Sequence, residues 1–128
     1  QALWPDFSPD FLDEEIQEIL ADLENLPVFV AVRPDGACGG FVEAAIRPYA
    51  DGCDTRSVGY IEAWYVDPDL RLQGVGAALI AAAEAWARRR GCQEVASDCL
   101  IDNHVSLQAH LALGFQEKER LIHFCKKL

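Results

Sequence analysis

Arg71-Leu72-Gln73-Gly74-Val75-Gly76-Ala77 decides the fold. It follows a strand-like run, Val58 to Val66, that is rich in β-branched and aromatic residues and is ended by Pro68. It opens a helix expected from about 75 to 90, in which Ala77, Ala78, Ala81, Ala82, Ala83 and Ala85 are strong helix formers. Glycines at the mouth of a helix let the backbone approach a ligand, and consecutive amides together with the helix dipole favour an anion. The pattern is neither the Gly-x-Gly-x-x-Gly of dinucleotide folds nor a P-loop, which ends in Gly-Lys-Ser/Thr. Taken by itself, a Gly-x-Gly before a helix is also satisfied by a plain structural turn.

Outward from that stretch the chain alternates strands and helices. Arg88, Arg89 and Arg90 complement the helix C-terminus and Gly91 closes it. Val95-Ala96-Ser97 reads as a short strand, Asp102 or Asn103 as the cap of a helix over about 104–113, and Phe115 to Lys126 as a final strand. Towards the N-terminus, Cys38 to Tyr49 reads as the return strand of a hairpin whose first strand is Val28 to Val32, turned at Pro34-Asp35-Gly36. Ser8-Pro9-Asp10 signals a helix start, and Phe11, Leu12, Ile16, Ile19, Leu20 and Leu23 follow at helical spacing, predicting an amphipathic helix over about 9–24. The expected fold is a mixed α/β sheet covered by helices, in the order α-β-β-β-α-β-α-β, forming one domain over residues 1–128.

The chain has 128 residues, 51% of them hydrophobic and 25% charged, an ordinary globular composition. No apolar run approaches the roughly 18 residues that span a bilayer, so no membrane partner is expected. The net charge of −10 makes nucleic acid a poor partner, because phosphates demand basic surface. Residues 1–69 hold 15 acids and 3 bases, whereas residues 70–128 hold 6 acids and 8 bases. That asymmetry suits a cationic ligand on the first half and an anionic one on the second; acid kept for solubility alone accounts for it as well. Five cysteines with no Cys-x-x-Cys pair point to reduced thiols in a cytoplasmic protein, and no metal site is expected.

The order aromatic-Val-x-Pro, then Arg-x-x-Gly-x-Gly, resembles the acetyl-coenzyme A motif of the Gcn5-related N-acetyltransferase (GNAT) superfamily. Asn103, His110 and Leu113-Gly114-Phe115 resemble that family's next element. Further segments are similar to the aminoglycoside 6'-N-acetyltransferases within it. These include Leu3-Trp4-Pro5, Asp51-Gly52-Cys53-Asp54, Tyr60 to Val66, Gly91-Cys92-Gln93-Glu94, Ala96-Ser97-Asp98, Asp102-Asn103, Ser106 and Ala112 to Arg120. The resemblance implies a GNAT-type sheet with a first strand ahead of Leu3-Trp4-Pro5 that this chain, which opens on Gln1 and has no methionine, does not contain. It implies acetyl-coenzyme A as donor, with no metal, a cationic aminoglycoside as acceptor at its 6'-amine, and a homodimer.

Residue roles follow from the resemblance. It assigns Arg71, Leu72, Gln73, Gly74, Val75, Gly76 and Ala77 to the coenzyme pyrophosphate. It assigns Trp64, Tyr65 and Val66 to the pantetheine arm, with the Val66 amide as oxyanion donor, and Asn103 and Ser106 to the coenzyme as well. Glu62 is expected to remove the amine proton, directly or through water, since an ammonium has no lone pair to attack with; a solvent-facing strand acid is the plain alternative. Asp98 is assigned to the sugar and to a share in proton removal, or else caps Ile101 or Asn103. Glu119 is assigned to a substrate amine, or else belongs to a solvated charge run. Trp4 and Tyr49 flank the sugar in this reading, or are core or edge aromatics. His110 stands where the superfamily carries tyrosine, either as an acid for the leaving thiolate or as a packed helix residue. Two other readings are an acetyltransferase for a different polyamine or peptide and a non-catalytic acyl-coenzyme A sensor. A sensor needs the cradle but not the acids Glu62, Asp98 and Glu119.

Overall fold

The structure, a computed structural model, describes residues 15–20 and 26–128. The chain divides into two compact units, one ending at Asp98 and one beginning at Cys99.

The first unit is a five-stranded sheet carrying one long helix. The strands β1 (Glu15–Leu20), β2 (Pro27–Val32), β3 (Cys38–Arg47), β4 (Val58–Val66) and β5 (Glu94–Ala96) lie side by side in that order. The first three pairings are antiparallel and β4–β5 is parallel. Parallel neighbours need a crossover, and the chain between β4 and β5 supplies it as a 3-10 turn, Pro68–Leu70, followed by helix α1, Val75–Arg89. Val75, Leu79, Ile80, Ala83, Trp86 and Ala87 form the buried stripe of α1. That spacing lays one apolar face on the sheet, so close that a Cβ at Gly40 would stand 3.3 Å from Leu79 Cδ1 and one at Gly59 2.8 Å from Ala87 Cβ. The hairpin between β2 and β3 is closed by Gly36 N–H to Arg33 O and Arg33 N–H to Ala37 O, both 2.8 Å, around the expected Pro34-Asp35-Gly36 turn.

The helix expected over 9–24 is not what forms at residues 15–20. These residues are β1, paired with β2 from Glu15 opposite Val32 to Leu20 opposite Pro27. The rest of that expected helix lies outside the described residues. Ile16, Ile19 and Leu20 do stand at helical spacing, but helix propensity differs by only fractions of a kcal/mol per residue. A second strand along β2 satisfies a whole edge of backbone donors and acceptors that would otherwise be unpaired. Tertiary pairing therefore overrides the local period.

In the second unit, α2 (His104–Ala112) occupies the expected place, and Asn103 is its cap: its Oδ1 accepts from Ser106 N–H at 3.0 Å. The final strand expected over Phe115 to Lys126 is absent; residues 115–128 carry no regular element. Alternating composition marks what a strand can bury, but a strand exists only where its backbone is paired, so composition alone does not make one.

Candidate active site

The middle of the sheet opens along one strand. β5 pairs with β4 only at Val58, Gly59 and Tyr60, while β4 runs on to Val66. At its far end Asp67 N–H donates to Gly39 O at 2.8 Å. Consecutive amides of an antiparallel strand face opposite sides, so the Val66 amide faces away from β3, towards the edge that β5 does not cover. The Val66 carbonyl lies on that same side and accepts from Arg71 Nε at 2.9 Å. The Arg71 guanidinium also lies over the Tyr65 ring, 5.7 Å from its centre.

The Arg71–Ala77 stretch turns immediately beyond. Leu72 has φ +61° and Gly74 φ +88°, two left-handed residues on either side of Gln73. Glycine adopts that conformation freely, whereas a leucine there costs on the order of 1 kcal/mol or more. Leu72 is 83% exposed, so no core contact rewards the strain. Gly74 caps α1 without a side-chain hydrogen bond, and Ala78 N–H to Gly74 O at 3.0 Å opens the helical ladder. The first-turn amides are thus offered to an incoming anion. Gly76 keeps the helix close to β4: a Cβ there would stand 3.1 Å from Cζ2 of Trp64. The approach is braced by Gln73 Nε2, which donates to Asp69 O at 2.9 Å. It is braced again by Arg33, which reaches from the end of β2 to Asp67 at 3.0 Å and to Asp69 at 2.8 Å. The Arg33 hydrogen bond holds the Asp69 carboxyl below the usual carboxylate range.

Four residues before Val66 the β3–β4 register slips. Ala44 pairs with Ile61 and Glu43 with Ala63, so Glu62 is the extra residue of a β-bulge. Bulges redirect a side chain out of the regular pleat. Both Glu62 oxygens accept from Arg47, at 3.0 Å from Nε and 2.8 Å from Nη2. The Arg47 guanidinium lies 3.5 Å from the centre of the Tyr60 ring. The Tyr60 hydroxyl in turn donates to Asp98 Oδ2. Burial and that bond to Asp98 push the Tyr60 phenol up to about 12, so it stays a donor at neutral pH. Glu62 and Asp98 are therefore gathered into one cluster within the first unit, and Asp98 is engaged by Tyr60. Arg47 and Tyr60 are the residues that the sequence reading missed. Their signals were present: Tyr60 stands two residues before Glu62, and Arg47 is one of only three bases in residues 1–69.

Tyr49 is 72% exposed just past the end of β3, and Trp4 lies outside the described residues. In the second unit His110 is buried, with Nδ1 donating to Ser106 O at 2.7 Å and the ring edge-on to Phe115 at 5.1 Å. A carbonyl only accepts, so Nδ1 carries the proton of the neutral ring. Glu119 is exposed in the irregular C-terminal stretch. Among the described residues no group of His, Cys, Asp and Glu is arranged to hold a metal, and no helix is long and apolar enough to cross a membrane.

A profile of the acetyltransferase (GNAT) family matches residues 1–115. An aminoglycoside N(6')-acetyltransferase type 1 of Klebsiella aerogenes is 48% identical over 128 residues, covering 98% of this chain and 84% of its own. The solved aminoglycoside N-acetyltransferase AAC(6')-Iy in complex with CoA is similar at a TM-score of 0.79 and 41% identity, over 84% of this chain and 70% of that one. AAC(6')-Iy in complex with the bisubstrate analog CoA-S-monomethyl-acetylneamine is similar at a TM-score of 0.78 and 36% identity, over 99% of this chain and 86% of that one.

Proposed function

The chain belongs to the acetyltransferase (GNAT) family, and from that premise we propose that it transfers the acetyl group of acetyl-coenzyme A to the 6'-amine of aminoglycoside antibiotics, conferring resistance to them. It does so as one acetyltransferase domain over residues 1–128, by direct attack with both substrates bound. The observation that carries the reading is on one strand: β4 turns the Val66 amide to the edge that β5 leaves, and presents Glu62 from a bulge four residues earlier. The activity of the similar enzymes supplies the acceptor class.

Acetyl-coenzyme A, when bound, supplies the activated acetyl group. The left-handed turn at Leu72 and Gly74 and the uncapped first turn of α1 fit an anionic pyrophosphate. Val66 N–H donates to the acetyl carbonyl oxygen as negative charge grows there. Glu62 takes a proton from the 6'-ammonium, directly or through one water, so that the freed amine attacks, and Asp98 holds a sugar ammonium and shares in that task. Tyr49, Trp4 and Glu119 are assigned to the antibiotic, and Asn103, Ser106 and Trp64 to Ala77 to the coenzyme, on the family resemblance. Because Nδ1 of His110 is committed to Ser106 O, His110 gives a proton to the leaving thiolate only as the imidazolium. Two acids joined by Tyr60 and Arg47 in the first unit favour this reading over an acyl-coenzyme A sensor, for which they have no use.

Thiol release from acetyl-coenzyme A is the direct test. Kanamycin- and tobramycin-like antibiotics with a 6'-amine give turnover and a 6'-amide by mass spectrometry and NMR; analogues with a 6'-hydroxyl do not give that amide. Acetylation confined to another ring amine overturns the assigned position, and turnover only with unrelated polyamines or peptides overturns the acceptor class.

The reading extends to a homodimer acting in the cytoplasm, with Glu119 serving its partner's substrate. Sedimentation at micromolar concentration is expected to give twice the 14.2 kDa of the chain. A stable monomer of that mass would remove the shared-site role of Glu119.

A further inference from the structure

We propose that Arg47 is a positioning residue for the acceptor amine site, fixing the plane of the Glu62 carboxylate for proton removal. The proposal rests on the reading of Glu62 as the proton acceptor. A glutamate has three rotatable bonds, and Glu62 sits on the extra residue of a bulge, where no cross-strand neighbour stands opposite it. Something else must set its orientation. Arg47, the last residue of β3, does so with two parallel hydrogen bonds of 3.0 and 2.8 Å, the fork geometry that defines a carboxylate plane. Arg47 is itself held, because its guanidinium carbon lies over the Tyr60 ring, 3.5 Å from the ring centre. Tyr60 is tied at its other end to Asp98. One cation thus sets Glu62 and leans on the residue that sets Asp98.

The fork leaves Glu62 a proton acceptor. It engages one lone pair on each oxygen, and an ionised carboxylate offers about four such sites. The Glu62 side chain keeps 34% of its surface exposed, which leaves room for a proton donor at the others. The arrangement also bears on substrate binding. Arg47 offsets the charge of Glu62, so its loss leaves a net more acidic site for a polycation. Catalysis and binding are expected to move apart.

The test is a cycle of Arg47→Ala, Glu62→Gln and the double variant, with Arg47→Lys beside them. Steady-state kinetics use acetyl-coenzyme A and kanamycin A, and calorimetry measures kanamycin A on the free protein. Arg47→Ala is expected to lower kcat about tenfold, while kanamycin A binds as well as before or better. Arg47→Lys keeps the charge but not the fork, so kcat stays low. In the Glu62→Gln background the further loss of Arg47 changes kcat less than about twofold. Full kcat in Arg47→Lys overturns the positioning role, and so does an Arg47→Ala loss that persists undiminished in Glu62→Gln. Equal losses of kcat and of kanamycin A affinity overturn it too, as the mark of general disruption. If Glu62→Gln alone keeps its kcat, the assignment of Glu62 fails first and the role of Arg47 with it.

Discussion

Gly74→Asp is expected to lower coenzyme A affinity about 100-fold while the fold survives. Two effects act together and have different sizes. Gly74 has φ +88°, and a residue with a Cβ there costs on the order of 1 kcal/mol in stability, with Asp and Asn among the most tolerant. The introduced carboxylate stands where the first-turn amides of α1 are offered to a pyrophosphate. Like charges roughly 5 Å apart in a partly exposed site of effective dielectric near 20 repel by about 3 kcal/mol, a loss on the order of 100-fold in affinity. Gly74→Asn separates the two, being nearly the same size and equally tolerant of the left-handed conformation, but neutral. Calorimetry with coenzyme A should show a modest loss for Gly74→Asn and a far larger one for Gly74→Asp, with similar melting temperatures. Equal affinities for the two variants would mean that no anion rests on this turn.

The physics of single residues made part of this site legible in advance. The turn from β4 into α1 announced itself because glycines, a strand before them and an alanine-rich helix after them agree at every level. Asn103 as a cap was legible for the same local reason. The helix expected over 9–24 failed at Glu15–Leu20 because Ile16, Ile19 and Leu20 satisfy a helical period equally well when β2 needs a neighbour, and no local signal reports that need. The strand expected at Phe115 to Lys126 failed on the complementary point, since strand composition does not create a pairing partner. Glu62 was legible as a strand acid but not as a bulged residue. Where the register slips by one depends on how β3 meets β4, a fact of pairing rather than of sequence pattern. Arg47 stood out as a rare base in the acidic half, but its tie to Glu62 was invisible for that reason: it is 15 residues away along the chain, and only the β3–β4 pairing joins them.

Glu62→Gln and Asp98→Asn are expected to part company in steady-state kinetics across pH 6–9. A polycationic substrate could use either acid merely as a charge partner, so both lost charges predict weaker binding unless chemistry is involved. Glutamine keeps the size of Glu62 but has too little basicity to take a proton. General base catalysis is worth about 10² to 10⁴, and a group that acts only in the transition state lowers kcat with little change in KM. Glu62→Gln is therefore expected to lose kcat on that scale, keep KM for kanamycin A, and lose the acidic limb of the pH–rate profile. Asp98 accepts from Tyr60, and its assigned role is mixed: Asp98→Asn should raise KM and lower kcat by smaller factors while keeping the limb. If Glu62→Gln keeps near-normal kcat and the limb while Asp98→Asn loses both, the two roles are exchanged. If neither variant loses kcat, the enzyme draws on the free-amine fraction already in solution, and both carboxylates serve only to hold the antibiotic. The fold supplies a reason to expect the first outcome. Glu62 is on the same strand as Val66, so the proposed proton acceptor and the amide proposed to donate to the developing oxyanion are carried by one element. Asp98 lies two residues beyond the end of β5, where the sheet no longer holds it and Tyr60 does.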